Sequence, residues 1–139
     1  MLLSVIRMKK NNNKVAIVTG AGSGIGKAVV LGLAKEGVDV YLAGRKKEKL
    51  LITKQQSIKE NNRGSCNVIK CDVTKETDVK KLFLLIQKQH GRLDLLFNNA
   101  GIGMKASTID QIKYKDWKTV IDTNINGMFL CAKYSYLFM

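Results

Sequence analysis

Proline is absent from the 139 residues, although average usage of about 5% would supply several. No apolar run approaches the roughly 20 residues that a bilayer-crossing helix requires, so no membrane partner is expected. Three cysteines cannot all pair within one chain and no Cys-x-x-Cys occurs, which excludes a disulfide scaffold and a zinc ribbon. Histidine occurs once, and no carboxylate pair or His/Cys cluster offers a metal site. Arginine is scarce, with 4 of the 24 basic residues. What is present is a globular composition, 45% hydrophobic and 25% charged, in a length that suits one domain or a piece of a larger one.

The net charge of +13 invites a phosphate-rich partner. The lysines are spread along the chain, however, and no basic block is interleaved with aromatics, so nucleic acid is not expected to bind. Abundant Lys, Asn and Ile without Pro is what an AT-rich coding sequence produces. The opening Met1-Leu2-Leu3-Ser4-Val5-Ile6-Arg7 is charged too soon for a secretory signal. Residues 1–13 read as a flexible leader and 14–139 as part of one folded domain. Three free thiols without a signal favour the cytoplasm.

Apolar strands alternate with helical patterns along 14–139. Val15-Ala16-Ile17-Val18 has no polar alternation, which fits a strand covered on both faces. Residues 25–35 follow as a helix, with Ile25, Val29 and Leu33 near one face and Ala28 and Gly32 for close approach. A second strand at 38–43 precedes a charged helix at 46–60 whose inner residues are Leu50, Leu51 and Ile58. A third strand at 66–71 precedes a helix at 75–90 with Val79, Leu82, Phe83 and Ile86 at core spacing. A fourth strand at 93–97 is followed by a long apolar helix from 116 onward. This alternation predicts an α/β fold with a Rossmann-like, doubly wound parallel sheet. Right-handed crossovers give strand order 3-2-1-4, and a ligand is expected beyond the carboxyl ends of strands one and four, where the order reverses.

The turn after the first strand is Thr19-Gly20-Ala21-Gly22-Ser23-Gly24-Ile25-Gly26. Glycines permit a tight turn and let backbone approach a diphosphate, while the following helix presents free N–H groups to it. No Gly-Lys-Ser/Thr follows, so this is not a Walker loop. Gly20-x-x-x-Gly24-x-Gly26 after Thr19, Asp72-Val73 after the third strand, Asn98-Asn99-Ala100-Gly101 after the fourth, and Asn124 within Asp122-Thr123-Asn124-Ile125-Asn126-Gly127 stand in order along the chain. Together they resemble the short-chain dehydrogenase/reductase family, classical type, over about residues 14–139, which then reads as the N-terminal part of a dinucleotide-binding Rossmann domain.

The resemblance implies a hydride transfer between a nicotinamide coenzyme and a carbonyl or alcohol substrate. It implies that Gly20, Ser23, Gly24, Ile25 and Gly26 hold the diphosphate, that Asp72 and Val73 frame the adenine, and that Asn99, Ala100 and Gly101 line the crevice. Asn124 is the member of the catalytic set that this sequence contains. In the family a Ser and a Tyr-x-x-x-Lys pair stand downstream of that Asn. Here they would lie beyond Met139, so the chain is expected to be a fragment that lacks the C-terminal strands and is inactive alone. The alternative is a non-catalytic dinucleotide-binding module, or a partner of a full-length chain. The family commonly associates through the long helix, so a full-length form is expected to be a homo-oligomer.

An NAD site usually carries Asp or Glu at the end of the second strand, bonding the ribose 2′-hydroxyl. Here that position is Gly44, followed by Arg45, Lys46 and Lys47. A guanidinium binds a dianionic 2′-phosphate and a carboxylate repels it, so NADP(H) is expected over NAD(H), with Arg45 as its reader. Asp39 reads as a turn residue at the strand's start. Tyr114-x-x-x-Lys118 mimics the catalytic pair but precedes Asn124, and reads as structural. His90 reads as a helix-end residue, and Cys66, Cys71 and Cys131 as small core residues.

Overall fold

A computed structural model describes residues 13–139. Of the expected leader only Asn13 falls among them; the rest lies outside the described residues. The elements are β1 (Val15–Thr19), α1 (Gly24–Lys35), β2 (Asp39–Gly44), α2 (Lys47–Lys59), β3 (Cys66–Lys70), α3 (Glu76–His90), β4 (Leu95–Phe97), α4 (Tyr114–Ile121), a π-turn (Asp122–Asn126) and α5 (Gly127–Ser135). The four strands form one parallel sheet in the order β3-β2-β1-β4. This is the expected Rossmann-like arrangement.

Side chains alternate across the sheet, so β1 feeds two cores. Val15 and Ile17 meet Val79, Leu82, Phe83 and Ile86 of α3 on one side. Val18 meets Val30 and Ala34 of α1 and Leu50 of α2 on the other. With both faces covered, every residue of β1 is buried, which explains its unbroken apolar sequence.

Four local expectations are corrected. The fully buried stripe of α1 is Gly26, Val30 and Ala34; of the expected residues Val29 and Leu33 are partly buried and pack against that core, while Ile25 is 70% exposed and Ala28 and Gly32 face outward. Small residues let the helix lie close to the sheet, and that closeness selects the stripe. In α2 only Leu50 of the three expected inner residues is buried, beside Thr53 and Ser57, while Leu51 and Ile58 are exposed. The two hydroxyls are paired: Thr53 Oγ1 donates to the Ala21 carbonyl of the glycine turn at 3.2 Å, and Ser57 Oγ accepts from Asn62 Nδ2. β4 is three residues long, because only Leu95–Phe97 pair with β1. The long helix is not continuous: the π-turn, where the Gly127 N–H reaches back to the Asp122 carbonyl, separates α4 from α5.

Asp39 is more than a turn residue. It is 4% exposed and accepts hydrogen bonds from Ser65 N at 3.0 Å, Ser65 Oγ at 2.8 Å and Asn13 Nδ2 at 3.4 Å. Burial pushes its carboxyl up, but the Ser65 and Asn13 donors outweigh burial and hold it below its ordinary value. Its stabilising contribution is therefore in place above the usual carboxylate range near ~4 and fades as pH falls through the lower folded value.

The three cysteines are all buried. Burial pushes the Cys71 thiol up to about 12, with Cys131, Asp78 and Asp72 adding to it, and pushes Cys131 up to about 11; Cys66 is also raised by burial. Thiolate is the reactive species. None of the three is expected to react with a chromogenic disulfide reagent at neutral pH in the folded chain, and all three in urea. A fast native equivalent would contradict the packing described. His90 ends α3, with its Nε2 2.7 Å from the Tyr41 hydroxyl, and Gly91 follows it in left-handed backbone.

Candidate functional site

The residues chosen from the sequence gather at the carboxyl ends of β1, β2, β3 and β4. Their frame is a clasp between β1 and β4. The wholly buried Thr19 hydroxyl accepts hydrogen bonds from both Asn99 N and Ala100 N, each at 2.9 Å. In return Asn99 Nδ2 donates to the Thr19 carbonyl at 3.1 Å, with the Gly20 carbonyl 3.5 Å away. Thr19 enters the sequence reading as the residue before the glycine turn, with no site role expected of it. Its position directly before the glycine turn is the only sequence signal.

At two glycines of the turn a side chain would run into the clasp between β1 and β4. Gly20 has φ +64°, and a methyl group there would lie 3.0 Å from Asn99 Nδ2. A methyl on Gly26 would collide with the Gly20 carbonyl and sit 2.7 Å from Asn99 Nδ2. The turn is thus folded onto the first coil of α1 with no room for a side chain. Ser23 stands before that helix in extended backbone, makes no capping bond, and no acidic residue occupies the first turn. Those first amides are the orphan donors of a helix start, with the positive end of its dipole.

Two hollows flank the turn. One of about 100 Å³ is bordered by Gly20, Arg45, Asp72, Val73, Ala100 and Gly101, which were chosen from the sequence, and by Gly44, Cys71, Ile102 and Thr123, which were not. The other, about 230 Å³, is bordered by Gly20, Ser23 and Arg45 together with Lys46, Lys49 and Leu50. Gly24, Ile25 and Gly26 border neither, and form the turn and helix start between them. Asn99 also borders neither; it supports the turn from β4 rather than lining the crevice.

Asp72 is held by its own loop. Its Oδ1 accepts from Thr74 N and Thr74 Oγ1 at 3.1 and 2.8 Å, and its N–H donates to Asp78 Oδ2 at 3.1 Å. Asp78, overlooked in the sequence, therefore fixes the edge of the smaller hollow from the first turn of α3. Asn98 Nδ2 donates to the Met128 carbonyl at 2.8 Å and ties β4 to α5. Asn124 uses both ends of its amide on one residue: Oδ1 accepts from Ile102 N at 2.8 Å and Nδ2 donates to the Ile102 carbonyl at 2.9 Å. It pins the loop after β4 onto the π-turn. Tyr114 is exposed and Lys118 is paired with Asp122 at 2.7 Å, so this pair is part of the surface of α4. A larger hollow of about 500 Å³ lies between the loop after β4 and α4, bordered by residues such as Met104, Lys113 and Asp116. It contains none of the residues chosen from the sequence.

Among the described residues, no group of three or more His, Cys, Asp or Glu could hold a metal ion, and no helix is long and apolar enough to cross a membrane.

A parallel sheet in this order, with a glycine turn opening a helix where the order reverses, defines a Rossmann-like α/β protein. The chain belongs to the short-chain dehydrogenase family, whose model matches residues 14–139. It is 40% identical over 126 residues to a 3beta-hydroxysteroid dehydrogenase of Mediterraneibacter gnavus, covering 91% of this chain and 45% of that protein. It is 37% identical over 123 residues to a farnesol dehydrogenase of Aedes aegypti, covering 88% and 50%. A solved metagenomic short-chain oxidoreductase in complex with NADP superposes with a TM-score of 0.83 at 28% identity, over 89% of this chain and 55% of that one. The chain thus spans about half the length of the curated relatives it matches.

Proposed function

We propose that this chain is the coenzyme-binding part of an NADP(H)-dependent oxidoreductase that moves hydride between nicotinamide and a carbonyl or alcohol. The observation that carries the reading is the glycine cradle: Gly20 and Gly26 leave bare backbone against uncapped helix amides, with cationic side chains beside them. That donor set suits a diphosphate and has no carboxylate to repel it. When bound, the coenzyme supplies the hydride chemistry. The amides of Gly20, Ser23, Gly24, Ile25 and Gly26 would hold its diphosphate, Asp72 and Val73 would border its adenine, and Ala100 and Gly101 would border the way to its reactive end. Asn99 acts as a positioning residue beneath the turn.

Asn124 is the member of the family's catalytic set in this reading. Its side chain gives one acceptor and one donor bond to Ile102, which fixes its orientation and leaves a second N–H and a second lone pair to order a proton-carrying water. No Tyr-x-x-x-Lys follows Asn124 in the 139 residues, and this chain by itself is proposed to bind coenzyme without turnover. A cytoplasmic location and, in a full-length form, a homo-oligomer formed through the α4–α5 face belong to the same reading. The exposed Trp117, Met128 and Phe129 on that face fit an interface.

Titration of NADPH and NADH, followed by calorimetry, tests this. NADPH is expected to bind more tightly. Arg45→Ala is expected to lower the NADPH-to-NADH affinity ratio about 10- to 100-fold, the worth of charge-assisted bonds to one phosphate. An unchanged ratio refutes the NADP assignment, and failure of both nucleotides to bind refutes the site.

A further inference from the structure

We infer that Lys49 is a second specificity residue of this site, meeting beside Arg45 the phosphate that separates NADP(H) from NAD(H). The inference rests on the coenzyme reading above and deepens it. Lys49 borders the 230 Å³ hollow with Arg45, Lys46 and Ser23, and no carboxylate borders it. None of the three cations joins an ion pair among the described residues, whose pairs are Arg63–Glu36, Arg92–Asp94, Lys118–Asp122 and Lys133–Glu76. Three like charges converging on one hollow repel one another, and a dianion placed among them relieves that repulsion. Glu48 lies on the same turn of α2 but does not border the hollow.

Lys49 differs from its cationic neighbours in how it is held. A methyl on Gly22 would come within 2.8 Å of the Lys49 Cβ, so the glycine turn and the first coil of α2 are in direct contact there. One helical turn later, Thr53 Oγ1 donates to the Ala21 carbonyl and closes a second contact between the same two segments. The root of the Lys49 side chain is therefore fixed relative to the diphosphate cradle. Lys49 borders the hollow, and its flexible stem lets the ammonium reach a phosphate placed there. Arg45 follows directly on β2, whose last residue Gly44 accepts from the Cys71 N–H, and Lys46 stands just before α2 with its carbonyl accepting the N–H groups of Lys49 and Leu50. A phosphate held between Arg45 and Lys49 would bridge the end of β2 and the start of α2.

The experiment is equilibrium titration of adenosine 2′,5′-bisphosphate and of AMP against the wild-type chain, Lys49→Gln and Lys49→Arg, with circular dichroism on each. Both probes bind without catalysis. The bisphosphate is expected to bind wild type more tightly than AMP. Lys49→Gln is expected to cut that preference about five- to tenfold with AMP affinity unchanged, and Lys49→Arg to keep most of it. An unchanged preference in Lys49→Gln overturns the role of Lys49, while Arg45→Ala would still lower the preference if the coenzyme reading holds. Equal weakening of both probes also overturns it, because Lys49 would then act on the turn. If wild type binds neither probe, or both equally, the coenzyme reading itself fails and takes this inference with it.

Discussion

Gly26→Ala is expected to abolish nucleotide binding and to destabilise the fold by about 2–4 kcal/mol, at the upper end of what overpacking costs. The added methyl meets the Gly20 carbonyl and Asn99 Nδ2. One is backbone, and the other is committed to the Thr19 carbonyl. Neither can move aside in the way the end of a flexible side chain can. Relief requires α1 to lift from the turn, which separates the orphan amides from the cradle they complete. Gly24→Ala provides the contrast: nothing lies within 4 Å of a methyl there, and only its φ of +53° opposes the change. That backbone penalty is about 1 kcal/mol. Chemical denaturation and NADPH titration of both variants measure the difference. A Gly26→Ala chain that binds NADPH like wild type would show that the tight turn is not the cradle.

Thr19→Val is expected to cost about 2–4 kcal/mol although it preserves shape. Valine keeps both branches and the strand preference of threonine but removes the acceptor. The Asn99 and Ala100 N–H groups then lose the acceptor they share in a part-buried place, at roughly 1–3 kcal/mol for each donor left unpaired. The loop after β4 should loosen, and nucleotide affinity should fall with it, because Ala100 and Gly101 border the smaller hollow. Thr19→Ser retains the oxygen and is expected to recover most of the loss. Urea denaturation of the three proteins checks this, and equal stability of the Val and Ser variants would contradict it.

The sheet was readable because its evidence is local. Each strand is a short apolar run with a helical pattern after it, and the handedness of the crossovers then leaves one order for the four strands. Gly20 and Gly26 were readable because close backbone approach excludes every other residue. The face of α1 was not, because Ile25, Val29, Val30, Leu31 and Leu33 place apolar groups nearly all round the helix. Gly26 and Ala34, which look uninformative as hydrophobic residues, decide the face by letting the helix sit close. α2 hid its inner face in hydroxyls that bond to nearby partners, so Thr53 and Ser57 read as solvent-facing. The break in the long helix depends on Asn124 finding Ile102, and no proline marks it. Thr19 shows the same limit most clearly: a strand-end threonine has no local sign of the two amides it serves.

The distance along the chain between those partners has a kinetic consequence. β1 and β2 meet across a short crossover, with Val15 opposite Asp39, whereas Thr19 and Asn99 are 80 residues apart. Closing the longer loop costs about 1 kcal/mol more entropy than closing the shorter one. Pairings of low sequence separation also form faster. The order of assembly that follows has the first βαβ unit collecting before β4 and the Asn99 behind it arrive, so the turn gains its rigidity only when that later segment docks.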